Sequence, residues 1–318
     1  MIVTVTANPA IDVTYTIDEL RRGQVQRVSE VAERAGGKGV NVARVLHRLG
    51  EAVMATGLSG GPGGAALAAD LLAVGIQVEM VDALPDVRRT LVVYEANGTT
   101  TSFWEPGRRP ANATRATDLL TARVVGALDT ARAVVVAGSL PPGIDAGLAS
   151  RLASEASVRG VPVLVDVDGP ALRAAATGGH AVLAPNLDEL ARLTGSNTYR
   201  SPTSALRAAR ALVQPDGPVP ALVLTMGPEG MAAILPDRTL LARPPEHVEG
   251  NPTGAGDAAS AAISRHLAAA GSHRAVDWDA ALADAVALSA SAVLRRVAGE
   301  IDMDAYYRWR EQVVVEAC

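Results

Sequence analysis

The segment Asn251-Pro252-Thr253-Gly254-Ala255-Gly256-Asp257 stands directly before 258–270, an alanine-rich stretch that is a strong helix former. Two glycines and an alanine at the mouth of a helix let a ligand approach the backbone closely. The unpaired N–H groups of the first turn can then receive an anion. A carboxylate inside such a nest repels phosphate, so Asp257 is a poor anion ligand. It suits a base facing an acceptor hydroxyl, with the amides of Gly254, Ala255 and Gly256 stabilising charge on a transferring phosphoryl group. The plainer reading is an Asp that caps the helix, with glycines serving only the turn. For this motif by itself both readings stand.

A second set lies near the N-terminus. Asp12 closely follows the first strand, where a doubly wound sheet collects substrate ligands, and its carboxylate can accept hydroxyl hydrogen bonds from a polyol. Taken alone it reads more readily as a turn cap. Gly36-Gly37-Lys38-Gly39-Val40-Asn41 is more specific: the glycines permit close backbone contact at a helix mouth, and Asn41 offers donor and acceptor to adjacent hydroxyls. Lys38 adds a cation that a sugar phosphate would use and a neutral sugar would not; its plain reading is a solvated lysine. Arg27, Arg88 and Arg89 can meet phosphate with two-pronged hydrogen bonds if they converge. Arg108 and Arg109 read as a solvated turn.

Other phosphate-binding designs are missing from the sequence. No Gly-x-x-x-x-Gly-Lys-Ser/Thr occurs, and Gly61-Pro62-Gly63-Gly64 lacks the last glycine of a dinucleotide fingerprint. The formal net charge of -5, with no basic block, gives no support to nucleic-acid binding. The single cysteine, Cys318, excludes an intrachain disulfide and agrees with a reducing compartment. Met1 leads directly into a strand-like stretch and no apolar run reaches membrane-spanning length, so neither a secretory leader nor a membrane span is expected. The expected location is cytoplasmic.

The elements that must position these groups follow a strand-then-helix rhythm. Strands are expected at Ile2–Thr6, 53–56, 76–81, Ala133–Ala137, 161–167, 181–183 and 221–225. Helices are expected at 40–49, 65–73, 146–159, from about Leu187, at 254–270 and at 279–297. A ribbon should begin at 231–235, and 61–64, 214–218 and 227–230 read as turns. The Asn97-Gly98 turn between 90–95 and 99–104 is the strongest hairpin signal, and alternation in 11–33 predicts short strands. Repeated strand–helix units predict a mostly parallel sheet covered on both faces, with the hairpin and 11–33 as a small projecting sheet. With only 3% aromatic residues, the core must be filled mainly by Val, Leu, Ile and Ala.

Taken together, the sequence resembles the ribokinase-like carbohydrate kinases, in the phosphofructokinase B family, on the branch of 1-phosphofructokinases and tagatose-6-phosphate kinases. The resemblance starts at Thr4-Val5-Thr6-Ala7-Asn8-Pro9-Ala10-Ile11-Asp12 and runs nearly to the C-terminus. It includes 36–43, Gly138-Ser139-Leu140-Pro141-Pro142-Gly143, Pro185-Asn186-Leu187-Asp188-Glu189-Leu190, Thr225-Met226-Gly227-Pro228-Glu229-Gly230 and 253–257. It implies an α/β three-layer fold over the whole chain, with a mostly parallel central sheet and a β-sheet lid formed by about 11–33 and 88–105. It implies ATP and Mg²⁺ and a homodimer through the lid. Asp12, Gly37, Lys38 and Asn41 would line the sugar site, Arg27 would hold the substrate phosphate across the dimer, and Ser139 would lie near the sugar. Asn186 and Glu189 would organise Mg²⁺ through water, and a carboxylate suits that hydration shell. Thr225, Gly227 and Gly230 would run along the nucleotide, ahead of the Gly254–Gly256 anion hole and the base Asp257. The implied reaction is fructose 1-phosphate to fructose 1,6-bisphosphate. A 6-phosphofructokinase, a tagatose-6-phosphate kinase, a kinase of an unphosphorylated sugar or nucleoside, and a non-catalytic sugar-binding regulator stay open. Three departures bear on this: Ala184 where the branch usually has Lys, the order Arg88-Arg89-Thr90 in place of Thr-Arg, and Pro252 in the approach to the anion hole.

Overall fold

Successive strand residues face opposite sides of a sheet, and here both sides are apolar. Ile2, Ala133 and Val135 pack into one core layer while Val3, Val5, Val134 and Val136 pack into the other. Strands buried on both faces must lie between two helical layers, as the computed structural model of the chain has them. The structure describes residues 1–199, 201–214 and 217–318.

In chain order the elements are β1 (Ile2–Thr6), β2 (Ala10–Ile17), β3 (Glu30–Gly36), α1 (Lys38–Arg48), β4 (Val53–Ser59), α2 (Gly61–Ala73), β5 (Gln77–Asp82), β6 (Arg88–Glu95), β7 (Thr100–Trp104), α3 (Ala113–Ala127), β8 (Ala133–Ala137) and α4 (Leu148–Val158). There follow β9 (Val163–Asp166), α5 (Gly169–Gly178), β10 (Val182–Leu183), α6 (Leu187–Thr194), α7 (Pro202–Leu212), β11 (Leu222–Thr225), β12 (Met231–Ile234), β13 (Thr239–Ala242), α8 (Ala255–Ala270), α9 (Trp278–Val293), α10 (Met303–Arg310) and β14 (Val315–Ala317).

The large sheet runs β14-β13-β12-β11-β10-β9-β8-β1-β4-β5. Its strands are parallel from β11 to β5, and β12 to β14 form an antiparallel edge. Residues of α1, α2, α8, α9 and α10 fill one core and those of α3 to α7 the other. At β1 the strand order reverses, with β4 on one side and β8 on the other. A crevice opens at the carboxyl ends of strands at such a switch point. The small sheet, β3-β2-β6-β7, covers that end as a lid.

The hairpin forms where Asn97-Gly98 predicts it, with Gly98 at φ 87°. Two expectations are corrected. The stretch 61–64 is the first turn of α2 and not a turn of its own, with Pro62 at the helix start where its missing N–H costs nothing. A side chain on Gly63 would strike Asp86 and Val87, so the glycines serve close packing. Within 11–33, the stretch 18–29 carries no strand, and Val25 and Val28 are exposed loop residues. The turn expected at 214–218 includes residues 215 and 216, which lie outside the described residues. Helices α3, α5, α7 and α10 and strand β14 fall where the sequence reading assigned no element. Among the described residues no helix is long and apolar enough to cross a membrane.

Candidate active site

The loop after β1 lets the chain cross from the large sheet to the lid, so Asp12 sits on β2 facing back over the strand ends. Its register partners are Arg34 on β3 and Thr90 on β6. Thr90 Oγ1 donates to Asp12 Oδ1, and burial pushes the Asp12 carboxyl above its ordinary range. On β6 alternate residues share a face, so Arg88 accompanies Thr90 into the cleft while Arg89 turns out to solvent. Arg88 Nε donates to the Asn8 carbonyl at 3.3 Å and Nη1 to the Glu105 carbonyl at 3.0 Å, which fixes the guanidinium at the lid root.

The glycines before α1 have separate steric reasons. Gly37 holds φ 103°, a left-handed conformation that side chains rarely adopt. A Cβ on Gly36 would overlap the Asp12 carboxyl, and one on Gly39 would strike Thr6. Gly36→Ala is therefore expected to push Asp12 off Thr90. It should raise the KM of a hydroxyl-bearing acceptor about tenfold with ATP binding kept; an unchanged acceptor KM in steady-state assays counts against Asp12 as a sugar ligand.

Helix α1 then carries Lys38 and Asn41 into the crevice. Lys38 Nζ lies 2.7 Å from Asp166 Oδ1 and 3.2 Å from Glu189 Oε1. Burial opposes the charge on Lys38, but Asp166 and Glu189 outweigh it and hold the ammonium above the usual lysine range. Glu189 belongs to a capping box at the start of α6: its Oε2 accepts the Asn186 N–H at 2.9 Å, while Asn186 Oδ1 accepts the Glu189 N–H at 2.9 Å. That box locks the Glu189 carboxyl toward the cleft, and burial raises its pKa despite Lys38. Asp166, at the end of β9, also accepts from Ser260 Oγ at 3.0 Å and so ties β9 to α8.

Asp257 lies in the first turn of α8, after Gly254 at φ 89°. A side chain on Gly254 would collide with Ala298, whereas one on Gly256 would project into open space in the cleft. The N–H groups beside Gly256 therefore have room for a ligand. Asn41 Nδ2 donates to Asp257 Oδ2 at 2.7 Å. Burial, with Asp166 nearby, pushes the Asp257 carboxyl up to about 7. A helix cap alone would face its own N–H groups; this carboxyl is instead held by a different helix.

One cleft of about 430 Å³ is lined by Asp12, Gly37, Lys38, Asn41, Arg88, Ser139, Asn186, Glu189, Thr225, Gly254, Gly256 and Asp257. Ala255 stands between two of the lining glycines as the first residue of α8. Besides Ala255, four expected residues do not line it. Arg27 is exposed on the loop after β2, Arg89 faces solvent, and Gly227 is exposed on a short 3₁₀ turn, Gly227–Glu229. Gly230 is buried against β13, where a side chain would strike the Ala242 carbonyl, so its glycine serves sheet packing. Ala184 and Pro252 both line the cleft.

The sequence reading missed Asp166, Thr90 and Asn8, whose Nδ2 donates to Ser139 Oγ at 3.0 Å. Asp166 had a usable signal: it is an acid at the carboxyl end of an expected parallel strand, the same rule that selected Asp12. Thr90 and Asn8 had none, since both act through pairings between distant segments.

A helix-mouth nest, a carboxyl held near neutrality beside it and a lid that carries Asp12 and Thr90 meet in one cleft of a doubly wound α/β body. The chain belongs to the pfkB family of carbohydrate kinases, whose family model matches residues 3–304. A 1-phosphofructokinase of Xanthomonas campestris pv. campestris is 35% identical over 272 residues, 83% of either chain. Phosphofructokinase-2 from Escherichia coli, solved in complex with fructose-6-phosphate, is 27% identical over 98% of either chain, with a TM-score of 0.86. A possible 1-phosphofructokinase from Thermotoga maritima, 23% identical, covers 100% of this chain and 99% of its own with a TM-score of 0.87, a likeness of fold.

Proposed function

We propose that the chain transfers the γ-phosphoryl group of ATP, in the presence of Mg²⁺, to the free primary hydroxyl of fructose 1-phosphate, giving fructose 1,6-bisphosphate and ADP. The observation that carries this reading is Asp257, a buried carboxyl beside an open helix mouth, held by Asn41 and pushed up to about 7 by burial. A group of that pKa can take a hydroxyl proton near neutral pH. As the acceptor oxygen bonds to phosphorus and the bond to the bridging oxygen of ADP breaks, Asp257 accepts the hydroxyl proton. The N–H groups at 254–256 stabilise charge on the migrating group. Asp12, oriented by Thr90, and Asn41 bind sugar hydroxyls, with Ser139 beside them. Thr225 and Asn186 border the nucleotide side of the cleft.

Among the described residues no cluster of three or more acidic, His or Cys side chains could cage a metal. That suits Mg²⁺, which keeps its waters and is held through one or two carboxylates together with nucleotide phosphates. Glu189 and Asp166 are that pair, Glu189 acting through water. The ion would supply charge neutralisation for the phosphates.

Arg88 is the residue assigned to the acceptor's own phosphate. Arg88→Met should raise the KM of a sugar phosphate about 30-fold and that of an unphosphorylated sugar far less. Equal changes would favour a neutral acceptor. A second reading, phosphorylation of fructose 6-phosphate, draws support from the structural relative solved with that sugar. The deciding experiment incubates purified protein with Mg-ATP and each sugar monophosphate and identifies the product. Turnover with fructose 6-phosphate or tagatose 6-phosphate alone overturns the preferred acceptor; none with any sugar favours a binding protein.

The lid exposes Phe103 (55%) and Val31 (56%) on one face and Trp104 (70%) at the cleft face, apolar side chains that suit a homodimer formed lid to lid. Arg27, on the exposed loop between β2 and β3, would then reach the partner's cleft. A cytoplasmic location, where ATP is supplied, fits this chemistry.

A further inference from the structure

The segment 294–300, which leaves the end of α9, touches both the lid and the anion nest. On the nest side, the carbonyl at the end of α9, that of Val293, accepts the Asn251 N–H at 2.9 Å. Asn251 Nδ2 donates to the Arg296 carbonyl at 2.9 Å, and Asn251 Oδ1 accepts the Thr253 N–H at 3.1 Å. One side chain therefore relays the position of residue 296 to the residue that opens the nest. Two residues further on, Ala298 packs so closely on Gly254 that a methyl group there would sit 2.9 Å from it. Gly299 lies against Asn41, the partner of Asp257.

On the lid side there are two tethers. The Arg296 guanidinium lies over the Tyr94 ring of β6, 5.7 Å from its centre, within the range of a cation–π contact. Arg34 Nη1 on β3 pairs with Glu300 Oε1 at 3.1 Å. Arg296, Val297 and Ala298 also line the cleft, together with the lid residues Thr14, Val92 and Trp104.

We propose that 294–300 is a strap that couples lid position to the geometry of the anion nest, with Arg296 and Tyr94 as positioning residues for phosphoryl transfer. The inference rests on the kinase reading above. A sugar that draws the lid down through Asp12 and Thr90 moves Tyr94, and the strap carries that movement through Arg296 and Asn251 to Thr253 and Gly254. The nest is then complete only when an acceptor is present, which protects ATP from water.

The test is a double-mutant cycle on the full-length protein, measuring kcat, acceptor KM, ATP hydrolysis without sugar, and thermal unfolding. Arg296→Met keeps the apolar stem and Tyr94→Leu removes the ring. Each is expected to lower kcat about two- to fivefold, the scale of an exposed cation–π contact. Each should also raise the share of ATP lost to water, with the unfolding midpoint unmoved because Arg296 is exposed and Tyr94 only half-buried. Tyr94→Phe, which keeps the ring face, should behave as wild type, and the double variant should be no worse than either single one. Additive losses, a Tyr94→Phe variant as impaired as Tyr94→Leu, or an unchanged hydrolysis share would each overturn the strap. Arg34→Gln at the second tether supplies an independent arm and should raise the same leak; no rise there counts against the coupling. A wild-type protein without sugar-dependent turnover would instead remove the kinase reading, so the two failures are told apart.

Discussion

Asp257→Asn is expected to lower kcat about 10³-fold while leaving the ATP dissociation constant within about threefold, because a neutral amide of the same shape still fits the nest but cannot take a proton. In the native protein kcat should rise with pH through a limb near 7, the value to which burial and Asp166 push the Asp257 carboxyl. Only the deprotonated form serves as base, so activity is gained as that proton leaves. Stability should move the other way. The folded carboxyl holds its proton up to about 7, whereas an unfolded Asp releases it near its ordinary value of about 3.9. The stabilising contribution is complete below the unfolded value and drains away as pH rises through the folded one. The Asn variant, having no charge to bury, should therefore melt higher than wild type at pH 8 and lose that advantage at pH 4. Stopped-flow and calorimetric titrations over that range read both effects. A variant that keeps near-normal turnover removes Asp257 from the chemistry, and a pH limb that survives the substitution assigns the limb to another group.

How much of this site the sequence disclosed depended on whether a residue acts locally or across the fold. The nest at 254–257 was legible because helix-mouth chemistry is local: small residues, an adjacent strong helix and an acid in the first turn lie within a few positions. Asn186 and Glu189 carried a similar local signature, since a capping box is set by residues three apart. Lys38 was legible as a cation of the site, but its partners were not. Its neighbours in the chain are glycines, which suggested a cation open to a sugar phosphate; its neighbours in space are carboxylates that arrive from β9 and α6, 128 and 151 residues away. The Arg88 and Arg89 ambiguity had the same origin. Alternation fixes that the two face opposite ways, but only the pairing of Asp12 with Thr90 decides which way is inward. Gly230 shows a different limit: a glycine required by the approach of β13 looks, in sequence, like one required by a ligand. The parallel body was legible from its apolar strands.

Lys38→Met is expected to lower kcat about 10²-fold or more for phosphorylated and unphosphorylated acceptors alike, with little selective change in acceptor KM. The reason is geometric. The ammonium already holds Asp166 at 2.7 Å and Glu189 at 3.2 Å, so its charge is engaged by these two acids before any acceptor binds. Removing it leaves two neighbouring carboxylates facing each other without a cation. Fully buried pairs broken in this way cost about 3–5 kcal/mol, and the Lys38 side chain, about a third exposed, puts the loss nearer about 2 kcal/mol. Glu189, whose burial already favours the protonated form, should then keep a proton to still higher pH and hold the hydration shell of a divalent ion less well. The apparent Mg²⁺ requirement of the variant should rise accordingly. A Lys38→Met/Asp166→Asn double variant separates charge balance from catalysis. It removes one cation and one anion together, so unfolding should return toward wild type while turnover stays low. Recovery of turnover along with stability would reduce Lys38 to a counterion. A KM increase confined to phosphorylated acceptors would mean that the ammonium leaves its two acids when sugar phosphate binds, and would return Lys38 to the acceptor side of the site.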